Sequence, residues 1–307
     1  MRIIAALLFI WMWGTLPALA QARDGSVRQP LEVILIPADG GTEDGTRADF
    51  LPLFNALTKT SGLHFRVRVG QSYAAAIEAV CTGLADVAWL GPTSYREARD
   101  RGCAELLAVE STNGSATYFA GIFALKDSGI SSAQDLRGRS VAFGPPQSAS
   151  SFVFPIGILL DAGIDPRKDL SQVRIGDSHT SGLVALDNGL VDGAAASFVS
   201  FERAANSGAI DASRFRIVGR SAPIPNPPMV SAQALPPAVK SRLRAALGAL
   251  HEQPGISADD IRGYGGKRVD RYDITITDDD FETAFRPVAG VDSAFTAALV
   301  RRAGTYR

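Results

Sequence analysis

"SVAFGPPQSASSFVFPIGILLDAG", residues 140–163, contains the unit from which the fold follows. The short run "SVAF" has the apolar composition of a buried strand, and Gly144, Pro145 and Pro146 stop it. A second apolar run continues as a helix that starts near Ser150 and is ended by Gly163. In α/β sheets ligands settle outside the carboxyl ends of strands, where a loop enters a helix. This loop carries three hydroxyls, Ser148, Ser150 and Ser151, with Ala149 between them, and residues 141–155 contain no lysine or arginine. The first N–H groups of a helix lack intrahelical partners and carry about half a positive charge. An oxyanion can therefore be held there without a cationic side chain. A helix cap is the plainer reading, but a cap accounts for one hydroxyl rather than three.

The strand-turn-helix unit recurs on both sides. "LEVILIP" (31–37) reads as a buried strand, "RADFLPLFNALTKTSG" as a helix ended by Gly62, and "HFRVRV" as a strand. "SYAAAIEAVCTG" is a helix capped by Ser72, "ADVAWL" a strand, "PTSYREARDRG" a helix with Pro at its first turn, and "ELLAVE" a strand. "TYFAGIFAL" (117–125) then reads as one long strand. Past the opening stretch come "QVRIG", "HTSGLVALDNG", "VDGAAAS", "FVSFERAANSG" and "FRIVGRS", strands and helices in turn. Such alternation predicts an α/β fold in which mainly parallel sheets are flanked by helices. "SAPIPNPPMV" (221–230) holds four prolines and is read as a crossover too donor-poor for a sheet interior.

Two lobes are expected, because roughly 285 residues after a leader exceed what one core organises. Residues 31–117 and 227–307 form lobe one in this reading, and residues 118–226 form an inserted lobe two, with hinge strands near 118–125 and 221–228. The opening "MRIIAALLFIWMWGTLPALA" (1–20) reads as a cleaved signal peptide, with Arg2 before an apolar run and small residues at Ala18 and Ala20. The mature chain is thus expected outside the cytoplasm, periplasmic or extracytoplasmic. With 31 basic and 32 acidic residues, the chain has no electrostatic footprint for nucleic acid. In an oxidising compartment Cys81 and Cys103 are read as a disulfide, and a structural metal site lacks ligands. No cofactor motif is present: "GPPQSAS" has neither the spacing nor the lysine of a phosphate-binding loop.

Three further helix starts follow strands. Tyr73 opens the helix after "HFRVRV", Tyr95 lies early in the helix after "ADVAWL", and His179 opens the helix after "QVRIG". A helix N-terminus lowers the pKa of histidine, which suits a neutral donor. Asp39, Glu43 and Asp44 of "ADGGTEDGT" are read as solvated, the alternative being acceptors for a protonated oxyanion.

The succession "ILIPAD", "SYAAAIEAVCTGLADVAWLGPTSYREA", "DLRGRSVAFGPPQSASSFVFPIGILLDAGIDP" and "GDSHTSGLVALDNGLVDGAAAS" resembles the phosphonate, phosphite and phosphate substrate-binding proteins of ABC importers. The likeness spans about residues 31 to 250. It implies a two-lobed type II periplasmic-binding fold that closes on a small phosphorus oxyanion and delivers it to a membrane permease as a monomer. The family cradle, Ser-Thr-Ser-Gly, is matched here by Ser148, Ala149, Ser150 and Ser151, with Tyr73, Tyr95 and His179 completing the pocket. Aminoalkyl phosphonates are expected to need acidic residues where this chain has Val199 and Pro227, although Glu202 is near. A smaller ligand is therefore implied.

A hydrolase using Ser150, His179 and Asp192 is the enzyme alternative, and it lacks the Gly-x-Ser-x-Gly elbow. The remaining alternative is an exported module that senses the same anion for a membrane partner.

Overall fold

A computed structural model of the chain describes residues 23–39 and 42–305. The expected signal peptide lies outside the described residues. From the start the chain alternates β1 (Leu31–Leu35), α1 (Glu43–Ser61), β2 (Phe65–Val69), α2 (Tyr73–Cys81), β3 (Val87–Trp89), α3 (Pro92–Asp100) and β4 (Ala104–Ser111). It then crosses through β5 (Thr117–Tyr118) into β6 (Ala120–Leu125), β7 (Ser140–Phe143), α4 (Phe154–Asp161), β8 (Gln172–Ile175), α5 (His179–Asp187), β9 (Gly193–Ser197), α6 (Phe198–Asn206) and β10 (Phe215–Arg220). The return runs through β11 (Ile224–Pro225) and β12 (Pro228–Ala232) to α7 (Pro237–Ala249), β13 (Arg271–Asp273), α8 (Asp278–Phe285), α9 (Ser293–Arg302) and β14 (Gly304–Thr305).

Two six-stranded sheets result, ordered β13-β4-β12-β3-β1-β2 and β10-β6-β9-β7-β8-β14. Each is mixed. β1 runs parallel to β2 and β3, and β7 parallel to β8 and β9, as helical crossovers require. The strands tied to the passages between sheets run antiparallel, β12 against β3 and β4 and β6 against β9 and β10, and β13 joins the edge of the first sheet antiparallel to β4. The two crossings also pair with each other, β5 with β11, as a short antiparallel ribbon.

Three sequence expectations change. The strand expected over 117–125 is split at Phe119, because its first two residues belong to the crossing ribbon and the rest to the second sheet. The Pro-rich stretch enters a sheet after all: Pro228 sits at the first position of β12, where a missing N–H is tolerated, and Met229 and Val230 lie in the sheet interior. The tail also departs from the partition that gave all of 227–307 to lobe one. β14 pairs with β8, Phe295 and Leu299 of α9 are buried, and Arg302 donates to the Pro166 (2.8 Å) and Leu170 carbonyls. Burying that apolar helix face against the second sheet outweighs sequence proximity to the first. Cys81 and Cys103 are joined, with Cα atoms 4.7 Å apart, tying the end of α2 to the entry of β4.

Candidate functional site

The turn between β7 and α4 is built by close backbone approach. Gly144 N–H donates to the Ser151 carbonyl at 2.9 Å, and a Cβ on residue 144 would stand 2.0 Å from Ser151 Oγ. Only glycine leaves that hydroxyl its place. Residues 149–153 form a single π-type turn ahead of α4, with Val153 N–H reaching back to the Ser148 carbonyl at 3.2 Å. Such turns widen the helix end and are frequent at functional sites. Ser148 is the N-cap, its Oγ accepting from Ser151 N–H at 3.2 Å. Ser148, Ser150 and Ser151 are all buried. Ser151 Oγ has no hydrogen-bond partner among the described residues. A buried hydroxyl left unpaired is costly, about 1–3 kcal/mol, so it marks a place where a partner is wanted.

His179, the first residue of α5, closes one side. Its Nδ1 accepts the Ser197 backbone N–H at 3.0 Å, which leaves the proton of the neutral ring on Nε2, 3.4 Å from Ser148 Oγ. Burial holds its pKa down at about 4, against the opposing pull of Asp39. His179 is therefore a neutral donor over the physiological range. Tyr73 opens α2, is buried, and has Ser148 as a side-chain partner; burial first, then Asp39 and Tyr118, raise its pKa, so it stays a protonated donor.

Tyr95 is placed elsewhere. It is buried in a T-shaped contact with Phe281, 5.1 Å between ring centroids, and its hydroxyl donates to Asp278 of α8. Pro92 takes the first helical position of α3, so Tyr95 lies three residues, nearly a full turn, further in and faces α8. Ser94 is the residue of α3 that reaches the turn, donating to the Gln147 carbonyl at 3.1 Å.

Several groups at the cleft were not among the sequence candidates. Tyr118 of the β5 crossing donates to Ser150 Oγ at 3.0 Å. Tyr264, from a one-turn 3-10 helix over 264–266, stands 2.7 Å from Ser200 Oγ and 3.3 Å from Ser197 Oγ, and packs against Trp89, Tyr118 and His179. Its backbone N–H is fixed by the buried Glu110, Oε2 at 2.5 Å, with Lys267 Nζ 3.1 Å from the other oxygen. Asp39 is not solvated: its side chain is 11% exposed and accepts from Ser200 Oγ at 2.5 Å. Glu43, Asp44 and Glu202 are exposed. Arg203 is committed to Asp49 and lies 3.8 Å from Asp39. The imagined triad is not assembled, since Asp192 accepts from Ser140 N–H (2.8 Å) and Oγ (2.6 Å) while Ser197 N–H occupies His179 Nδ1.

The lobes are shut on this cleft. His179 N–H donates to the Ala38 carbonyl at 3.2 Å, and Ser94–Gln147, Ser200–Asp39 and Arg203–Asp49 also bridge it. Two α/β lobes joined by paired crossing strands define a type II periplasmic-binding fold. The chain belongs to the family of ABC-transporter phosphonate periplasmic substrate-binding proteins, whose model matches residues 41–268. Membership places it outside the cytoplasm. It is 27% identical over 175 residues to the phosphate-import protein PhnD of Mycolicibacterium smegmatis, a match covering 53% of this chain and 54% of that protein. The chain thus spans about half the length of that curated relative. It is 23% identical to the phosphonates-binding periplasmic protein of Escherichia coli over 79% of this chain and 72% of that one. The methylphosphonate complex of PhnD1 from Prochlorococcus marinus shares the fold, with a TM-score of 0.71, 17% identity, and 84% and 96% of the two chains covered.

Proposed function

We propose that this protein captures a small phosphorus oxyanion between its lobes and delivers it to the permease of an ABC importer, working as a monomer exported by a signal peptide at residues 1–20. The hydroxyls of Ser148, Ser150 and Ser151, the free N–H groups at the start of the turn (Ala149 among them), and His179 Nε2–H form the lobe-two side. Tyr73 donates from the other side, and Tyr118, by donating to Ser150 Oγ, turns the Ser150 proton toward the cleft; Tyr95, spent on Asp278, is assigned to packing. Opening and closing would hinge at the β5–β11 ribbon.

The observation that carries this reading is the convergence of buried, uncharged donors at a helix end, one of them, Ser151 Oγ, unpaired. Neutral donors of fixed direction suit a tetrahedral anion, each contributing about 1.5–3 kcal/mol toward a charged acceptor. The PhnD1 complex with methylphosphonate, a relative in fold, supports the ligand class. Val199 and Pro227 add no carboxylate for an ammonium group, which favours phosphite, phosphate or a simple alkylphosphonate over an aminoalkyl one. A thermal-shift panel of phosphate, phosphite, hypophosphite, methylphosphonate, aminoethylphosphonate and sulfate tests this. A ligand at about a hundred times its Kd adds about 2.7 kcal/mol, a shift of several degrees. Phosphite or methylphosphonate should produce it and sulfate should not; silence from every phosphorus compound at millimolar concentration would refute the reading.

A further inference from the structure

We propose that Asp39 sets which protonation state of the anion this site accepts, favouring the singly charged form; the inference rests on the oxyanion reading above. Asp39 follows β1 and lies at the cleft, its Oδ1 on Ser200 Oγ and its Oδ2 3.8 Å from Arg203 Nε. Arg203 is shared with Asp49 of α1, so these three side chains hold two carboxylates against one guanidinium. The arginine therefore leaves no surplus positive charge for a ligand. The groups facing Asp39 are Tyr73 from α2, His179 from α5, Ser200 and Arg203 from α6, Asp49 from α1 and Tyr264 from the 264–266 turn. Two of them, Tyr73 and His179, are donors of the proposed cradle, and His179 N–H donates to the carbonyl of Ala38, the residue before Asp39, at 3.2 Å. An oxyanion held by them lies in the same field.

A doubly charged oxyanion placed there is repelled by Asp39, and the Arg203 guanidinium is already set against two carboxylates. A proton on one ligand oxygen removes a unit of charge and offers a donor to the carboxylate. Phosphorus oxyanions lose their second proton near neutrality, about pH 6 for a phosphate monoester. The selection thus acts across physiological pH. His179 is already neutral there and burial keeps Tyr73 and Tyr264 protonated, so a pH slope in affinity reports the ligand's proton rather than theirs.

Asp39 also clasps the lobes through Ser200, and the two roles move different quantities. Loss of a clasp shifts Kd by one factor at every pH, whereas loss of charge selection changes the slope. Calorimetric Kd values for methylphosphonate and hypophosphite, measured from pH 5.5 to 9 on the full mature chain and on Asp39→Asn, separate them. Above its second ionisation methylphosphonate should bind the wild type about tenfold more weakly per pH unit, because the competent fraction falls by that factor. Hypophosphite, with a single acidic proton, should show no slope. In Asp39→Asn the methylphosphonate slope should shrink to less than about threefold per unit. Asp39→Ser reads the same way if the asparagine variant folds poorly. A wild type without slope, or an Asp39→Asn line parallel to wild type, overturns the inference and leaves the oxyanion reading standing. Absence of binding by either ligand at any pH overturns both.

Discussion

The β2–α2 and β3–α3 junctions look alike in sequence: a strand, a short loop, and a tyrosine near a helix start. The structure uses them differently. At the first junction Tyr73 is the first helical residue, directly after the Ser72 cap, and its hydroxyl meets Ser148. At the second, Pro92 holds that position and Tyr95 comes three residues later, on the side that packs against α8. What lies over the end of a strand is set by the residue at the first helical position. A nearly full turn of offset converts a cleft donor into a packing residue.

The same contrast fixes what breaks when each is changed. The largest effect is expected at Gly144, where an alanine Cβ would collide with Ser151 Oγ. Gly144→Ala should lower stability by about 1–3 kcal/mol and weaken anion binding more than tenfold, as read by thermal melts and calorimetry. An unchanged affinity would remove Ser151 from the cradle. Next come the tyrosines, with reciprocal outcomes. Tyr73→Phe should weaken binding about tenfold to a hundredfold with little change in melting, since one hydrogen bond to an anion is lost. Tyr95→Phe should lower stability by about 1–3 kcal/mol through the lost bond to Asp278 and leave affinity within about threefold. Exchange of these two results would overturn the distinction drawn between the junctions.

A further effect, on stability alone and confined to acid pH, concerns His179. Its pKa is depressed from 6.5 to about 4 in the folded chain, so the unfolded chain binds the extra proton first. The stability this contributes is complete above about pH 6.5 and is lost as pH falls toward 4, on the order of 3 kcal/mol across the window. His179→Asn should flatten that part of the stability profile in denaturant titrations. A wild-type profile with no decline between pH 6.5 and 4 would contradict a buried neutral ring.

Local chemistry explains which parts of the site could be read from the chain. Ser148 as a cap, the hydroxyl cluster behind it and His179 at a helix start are short-range patterns, and each lies where its pattern places it. Tyr118 and Tyr264 have no such signal. One sits on a two-residue crossing strand, and the other on a single turn held in place by Glu110, 154 residues away. Long-range pairing brings them to the cleft, and nothing near them in sequence announces it. Asp39 reads as solvated because its loop is polar, whereas its cover, Ser200 and Arg203, comes from the other lobe. Four prolines mask β12 in the sequence, although the last of them merely begins the strand. Sequence proximity places the tail with lobe one, whereas its last strand, β14, pairs with β8 of the second sheet.

A crystal structure of the mature protein with methylphosphonate bound tests the central claim most directly. The account predicts phosphonate oxygens within about 3 Å of Ser150 Oγ, Ser151 Oγ and His179 Nε2, with Arg203 still on Asp49. Phosphonate seated away from residues 148–151, or paired with the Arg203 guanidinium, would contradict it.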